Sequence, residues 1–169
     1  MKSTALLLLP LLLSVSCAGY RLGGVKPAAL AEIRTLSVPM FANATQHPRA
    51  EMIATSAVSG ALIQDGTYRI APTAQADATL EGTVRSITYT AVRSRRFDTL
   101  RPEELASFVT IEWTVKAAQP PGKILAAGTS VGTSTFFVDR DLQTARNNAL
   151  PDAMERASTT IVSQLANGF

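Results

Sequence analysis

From Val109 to Ala117, apolar and polar residues alternate without a break. Val109, Ile111, Trp113, Val115 and Ala117 point one way; Thr110, Glu112, Thr114 and Lys116 point the other. Side chains of a strand alternate between two faces, so this run predicts a sheet with one buried face and one wet face. Such a face needs a cover, and two segments have helical spacing. Arg49 to Gln64 carries Met52, Ile53, Ala57, Ala61, Leu62 and Ile63 at three- and four-residue intervals, and Asp65-Gly66 ends it. Ser56, Ser59 and Gly60 would let that helix approach a sheet closely. Asp139 to Asn167 repeats Ala145, Ala149, Ala153, Ala157, Ile161 and Leu165 every fourth residue, with Leu142, Leu150, Met154 and Val162 widening the stripe. Pro151 lies inside this run and predicts a kink or the first turn of a second segment.

The other strands are less regular. Ile33 to Pro39 alternates and is closed by its proline, Phe41 to Pro48 reads as a loop, and Thr67 to Ala71 as a short strand. Ala78 to about Ser94 is the longest strand. Leu80, Val84 and Val92 share one phase and Ile87 and Tyr89 the other, which predicts a bulge or a strand covered on both faces. Arg93 to Glu104 is the most charged segment and reads as a connection between strands. Gln119 to Gly122 turns the chain back into Lys123–Val138, the antiparallel partner of the alternating strand. The order predicts an α+β fold: an antiparallel or mixed four-stranded sheet with two helices packed on one face, a two-layer α/β sandwich.

The N-terminus says where the domain works. Lys2 precedes an apolar run from Ala5 to Leu13, too short to cross a bilayer as a helix, which needs about 20 residues. A charged start, a short apolar core and small residues behind it form a secretory signal. Leu13-Ser14-Val15-Ser16-Cys17 looks like a bacterial lipobox, with Ser14 where the pattern prefers Leu. Cleavage before Cys17 would leave its sulfur and amine to be acylated; an ordinary signal with a chance cysteine is the alternative. Residues 1–16 are thus expected to be a signal peptide, 17–31 a lipidated tether with a glycine pair and a proline, and 32–169 a single domain.

Composition narrows the chemistry. Sixteen basic residues against 13 acidic ones give a mild net charge of +3, unlike the concentrated field of a nucleic-acid binder. Cys17 is the sole cysteine and His47 the sole histidine, which excludes an internal disulfide and the usual zinc constellations. Nucleophile elbows, phosphate-cradling glycine loops and Cys–His pairs are missing from the sequence, so neither an enzyme nor a cofactor is expected. His47 reads as a solvated loop residue, and Asp77 and Glu81, on one face of a strand, as a solvated pair. Asp139 and Asp141 suit the positive end of the last helix. Arg93, Arg95, Arg96 and Arg101 are different, because four guanidinium groups flank Phe97 and Leu100. Such a surface suits a ligand with phosphates at one end and fatty chains at the other. The same residues also fit a solvated loop whose arginines pair with Asp98, Glu103 and Glu104.

Three groups of residues together resemble one family. They are Cys-x-Gly-Tyr at Cys17–Tyr20, Val-Pro-x-Phe-x-Asn-x-Thr at Val38–Thr45, and Ala-Asp-x-x-Leu-x-Gly at Ala76–Gly82. With Asp65-Gly66-Thr-Tyr68-Arg69 and the Ala-rich terminal helix, the chain is similar to the outer-membrane lipopolysaccharide-assembly lipoproteins, the LptE family. The resemblance implies a two-helix, four-stranded sandwich on the periplasmic side of the outer membrane. It implies as partners an LptD-type translocon β-barrel, which the lipoprotein helps assemble and plugs, and lipopolysaccharide itself. A different envelope lipoprotein, of the curli-secretion or peptidoglycan-synthase-activating kind, shares the strand-Pro-Phe-Asn-Thr start and is the rival reading. Acyl burial contributes about 0.8 kcal/mol per CH₂, so one chain anchors marginally and two or more anchor stably. Cys17→Ala is therefore expected to release a soluble periplasmic form with an unchanged fold; mutant and wild type fractionating alike would show that no lipid anchors the chain there.

Overall fold

The computed structural model describes residues 26–95, 98–138 and 141–168. The elements run in the order 3-10 turn Ala28–Leu30, β1 Thr35–Ser37, β2 Ala42–Asn43, α1 Ala50–Asp65, β3 Arg69–Ile70, β4 Ala78–Arg95, β5 Asp98–Ala117, β6 Ile124–Phe137 and α2 Leu142–Asn167. They form an α+β sandwich in which α1 and α2 pack on one another and on one face of a mixed sheet. The sheet has six strands, ordered β3-β1-β4-β5-β6, with β2 added to β4. The sequence predicted four. β3 lies within the short strand expected at Thr67–Ala71, whereas β2 is a two-residue pairing inside the expected loop Phe41–Pro48, too short to leave an alternation in the sequence.

The long antiparallel meander β4-β5-β6 is the frame. Trp113 pairs with Gly82 on one side and Gly128 on the other, and its ring fills the space that the missing side chain of Gly128 leaves. The alternation holds: Val109, Ile111, Trp113, Val115 and Ala117 are buried, while Glu112 is exposed. On the wet face Glu112 takes Arg85 at 2.6 Å and Glu81 takes Lys116 at 2.6 Å. The phase change in β4 is a bulge. Val84 pairs with Ile111 and Ser86 with Thr110, so Arg85 is the extra residue and Ile87 and Tyr89 return to the half-buried side.

The short N-terminal strands lie parallel to β4 and require a crossover, which α1 provides. The buried line of α1 is Ala50, Ala54, Val58 and Leu62. Met52 and Ile63, expected inside, are exposed, and so is Gly60. The correction has a physical reason: small side chains let the helix axis come near the sheet and its neighbour, and the larger ones are left on the flank.

α2 runs unbroken through Pro151, so neither a separate segment nor a new start occurs there. Pro151 is exposed, and the carbonyl its missing N–H would have served belongs to exposed Asn147, which water can reach. The expected stripe is the buried one, with Ala149, Leu150, Ala153, Met154, Ala157, Ile161, Val162 and Leu165 all inside. Asp141 caps the helix, its carboxylate accepting from the Gln143 N–H at 2.9 Å. Asp139 lies outside the described residues.

The closest helix–sheet approach is at Gly132, where a Cβ would collide with the Ala153 carbonyl and the Ala157 nitrogen. A polar chain ties the same layers. The Trp113 indole donates to Ser130 Oγ at 3.2 Å, and that hydroxyl donates to Gln164 Oε1 at 3.0 Å. Trp113→Ala is expected to cost about 3–5 kcal/mol in urea unfolding, Gly132→Ala about 1–3 kcal/mol by overpacking, and Glu112→Ala below about 1 kcal/mol. Equal costs for Trp113→Ala and Glu112→Ala would mean that the faces are assigned the wrong way round.

Candidate functional site

Two regions carry the residues singled out by the sequence: the hairpin between β4 and β5, and the loop cluster around β1, β2 and the start of α1. The charged segment Arg93–Glu104 is not an open connection. β4 continues to Arg95 and β5 begins at Asp98, with Arg95 opposite Asp98 and Arg93 opposite Glu104. Arg93 and Glu104 are cross-strand neighbours of opposite charge, their groups 3.9 Å apart, a pair compatible with the ladder. Arg93 remains 70% exposed at its side chain. Register shifts between Arg93, Ser94 and Arg95 break the simple alternation of faces. Arg95, Leu100 and Arg101 therefore lie on the backbone of a two-stranded ribbon, whereas Arg96, Phe97 and the lipidation candidate Cys17 fall outside the described residues.

The loop cluster is wired by polar side chains. Asn43 Oδ1 accepts from the Thr45 N–H at 2.9 Å and from its hydroxyl at 2.7 Å, while Nδ2 donates to the His47 carbonyl and Glu51 Oε2, each at 2.9 Å. Thr55 Oγ1 accepts from the Phe41 N–H at 2.9 Å, and Phe41 packs its ring where Gly82 has no side chain. A Cβ at position 82 would overlap that ring. The Val-Pro-x-Phe-x-Asn-x-Thr sequence thus builds the lead-in to α1, and Asn43–Thr45 is an Asx-type turn. His47 is half-buried, with Nδ1 3.1 Å from the Pro48 carbonyl and Nε2 covered, unlike the solvated loop residue expected.

Asp77 is the residue the sequence undervalued. Its Oδ2 accepts from the N–H groups of Arg34 at 2.9 Å and Thr35 at 2.8 Å, and its own N–H donates to Thr35 Oγ1 at 2.9 Å. These bonds, the Arg34 and Thr35 amides first, hold its carboxyl below the usual range. Asp77 clasps the start of β1 to the start of β4; Glu81 has a separate partner in Lys116. Tyr68, next to the Arg69 that pairs with Thr35, is buried in the core. Its hydroxyl donates to the Leu165 carbonyl at 2.7 Å and Lys26 Nζ lies 4.3 Å from its ring centre. Burial, with Asp65 nearby, pushes the Tyr68 hydroxyl up to about 12.

Among the described residues no group of three His, Cys, Asp or Glu could hold a metal ion, and no helix is long and apolar enough to cross a membrane. An apolar groove of about 740 Å³ lies between α1 and α2, lined by Met52, Ile53, Ala57, Ile63 and Pro151.

The fold defines a class of small α+β sandwich with two helices on one face of a mixed sheet. A comparison with family models matches residues 33–165 to LptE, the lipopolysaccharide-assembly family, and the chain belongs to that family. No curated protein matches the sequence. Among solved structures, the PelC dodecamer of Paraburkholderia phytofirmans is similar at 19% identity and a TM-score of 0.55, covering 86% of this chain and 94% of that one. A Xanthomonas campestris protein is similar at 16% identity and a TM-score of 0.54, covering 78% and 84%. A minor lipoprotein of Acinetobacter baumannii is similar at 11% identity and a TM-score of 0.50, covering 79% and 90%. At these identities the likeness is one of fold.

A carboxylate with a depressed folded pKa contributes stability above its unfolded pKa of about 3.9, and that contribution is lost as pH falls through the folded value. Asp77 is in this position, as are Asp141, through the Thr144 hydroxyl and nearby amides, and Asp152, through the Ser134 hydroxyl and Arg156. Asp77→Asn is expected to lower the unfolding midpoint at pH 7 and to flatten the stability loss between about pH 5 and pH 3. A mutant with the wild-type acid profile would show that the clasp is not ionic.

Proposed function

We propose that this chain is an outer-membrane lipoprotein, held on the periplasmic side by acyl groups on Cys17, that assembles with and plugs an LptD-type β-barrel. In that role it helps the barrel deliver lipopolysaccharide to the outer leaflet. The observation that carries this reading is family membership over residues 33–165, nearly the whole domain. Its physical support is the nature of the fold. A plug has to hold its shape while a barrel closes around it. Here one continuous core and several side-chain-to-backbone clasps, at Asn43, Asp77 and Tyr68, fix the ends of short elements that could not hold themselves. The domain offers no catalytic group set in its sequence, and binding is the chemistry its surface suits.

The lipid contact belongs to the ribbon. Arg93, Arg95, Arg96 and Arg101 would present guanidinium forks to lipid A phosphates, with Phe97 and Leu100 meeting acyl chains. The pairing of β4 with β5 up to Arg95 and Asp98, which carries Arg93, Arg95 and Arg101 on one two-stranded ribbon, supports that assignment. The partial neutralisation of Arg93 by Glu104 makes Arg95 and Arg96 the better test.

Two measurements check the reading. Affinity capture from detergent-solubilised outer membrane should bring down a large β-barrel of the lipopolysaccharide-translocon type at near-equal stoichiometry. Capture of curli-secretion or peptidoglycan-synthase components in its place would support the rival reading. Arg95→Ala with Arg96→Ala should weaken lipopolysaccharide binding about tenfold, each exposed charge being worth about 1 kcal/mol or less, with barrel capture and unfolding midpoint unchanged. Added salt should weaken wild type more than the mutant. Loss of the barrel in the double mutant would assign these arginines to a protein interface.

A further inference from the structure

Met52 and Pro151 line the groove of about 740 Å³ between α1 and α2, and Asp65 and Asn167 line a second recess of about 400 Å³. The two helices therefore run parallel, with their C-terminal ends together. Ala61, Gln64 and Thr159 border both recesses, so one continuous seam follows the helix pair. The seam is apolar and open: Met52 is 44% exposed, Ile63 is 71% exposed, and a Cβ on Gly60 would meet nothing within 4 Å. Its charged lining residues, Glu155 and Asp65, are both acidic. Large apolar side chains left on the flank of α1 thus border a track that nothing among the described residues fills.

The described chain begins at the C-terminal end of this seam. Lys26 Nζ stands 4.3 Å from the centre of the Tyr68 ring, and Tyr68 donates to the Leu165 carbonyl in the last turn of α2. A Cβ on Gly168, the α2 cap, would lie 3.5 Å from Pro27. From this position we infer that the tether, residues 18–25, folds back from Lys26 along the seam and fills it. The lengths agree. Eight extended residues reach about 26 Å at about 3.3 Å each, and α2 rises about 24 Å from Asn167 back to Pro151 at about 1.5 Å per residue.

The chemistry of the tether identifies it as the occupant. Its sequence is Ala-Gly-Tyr-Arg-Leu-Gly-Gly-Val, with Arg21 as its one charge. In an extended chain Tyr20 and Leu22 share one side and Arg21 takes the other. Tyr20 and Leu22 then enter the apolar track while Arg21 turns to the rim. Leu22, four residues before Lys26, comes level with Thr159, nine residues before Gly168, at about 13 Å on either count. Arg21 follows within reach of Glu155, a basic residue against an acidic wall. A lipid tail or a foreign segment would have to be recruited from solution, whereas the tether is already attached at the mouth of the seam, at an effective concentration in the millimolar range. Docking brings Cys17 out beside Met52 and Pro151, which decides the side of the sandwich that faces whatever Cys17 is attached to. The inference depends on neither the barrel partnership nor acylation of Cys17.

Disulfide trapping in intact cell envelopes tests it with the full-length chain. Leu22→Cys with Thr159→Cys should, on mild oxidation, give linked peptides in the digest of a species of unchanged mass. Leu22→Cys with Val131→Cys, whose site is 51% exposed on the open face of β6, should give at least tenfold less. In the Leu22→Cys, Thr159→Cys background, Glu155→Arg should lower the yield several-fold and added Arg21→Glu should restore it, with unfolding midpoints confirming that each variant folds. Equal yields from the Thr159 and Val131 pairs would overturn the inference. So would a linked species of twice the mass, which would give the seam to a second copy, or a charge swap that fails to restore the yield in a folded variant. A phospholipid that native mass spectrometry finds on the wild type and not on Gly60→Trp would give the groove to lipid and overturn it as well.

Discussion

The fold depends on how closely α2 can lie on β5 and β6. A long helix and a sheet bury apolar surface in proportion to their mutual approach, at about 25 cal/mol per Å² removed from water. At Gly132 the helix backbone itself occupies the space of a side chain, and alanines at Ala149, Ala153 and Ala157 keep the helix side equally thin. Larger neighbours then fill the remaining volume: Leu150, Met154, Ile161 and Leu165 from the helix, Val109, Ile111, Trp113 and Val115 from the sheet. The chain from Trp113 through Ser130 to Gln164 satisfies the polar atoms this approach would otherwise bury unpaired.

Once that two-element core exists, the N-terminal half is attached by clasps as much as by burial. β1, β2 and β3 are two or three residues long and make few ladder bonds. Asp77 holds β1 to the head of β4, Asn43 ties β2 to the first turn of α1, and Tyr68 fixes β3 to the last turn of α2. Several residues that link this chain to its family are these same clasps. The family pattern therefore records the construction of the domain.

What the sequence made legible follows from this division. The strand Val109–Ala117 and the stripe of α2 could be read because one face is buried and the other wet, which forces a period. The bulge at Arg85 could be read because it inverted that period midway. α1 misled because three of its four buried residues, Ala50, Ala54 and Val58, are smaller than its exposed Met52 and Ile63. Size is a poor guide wherever close approach is what packing requires. The charged ribbon read as a loop because Arg93 and Glu104 pair as polar groups on a strand, with no apolar alternation to announce it. Asp77 looked like a solvated carboxylate because its partners are backbone amides 42 and 43 residues away, which no local pattern encodes. Pro151 suggested a break, yet its lost hydrogen bond falls on the exposed side of a helix held by burial.

Membership of the lipopolysaccharide-assembly family is what supports the central proposal, that this chain is needed for lipopolysaccharide to reach the cell surface. The most direct measurement is depletion of the protein in its own cells, with newly made lipopolysaccharide followed by surface labelling. The account predicts that surface lipopolysaccharide falls as the protein disappears, that the material accumulates on the inner side, and that re-expression restores export. Undiminished delivery of new lipopolysaccharide to the surface in depleted cells would contradict it.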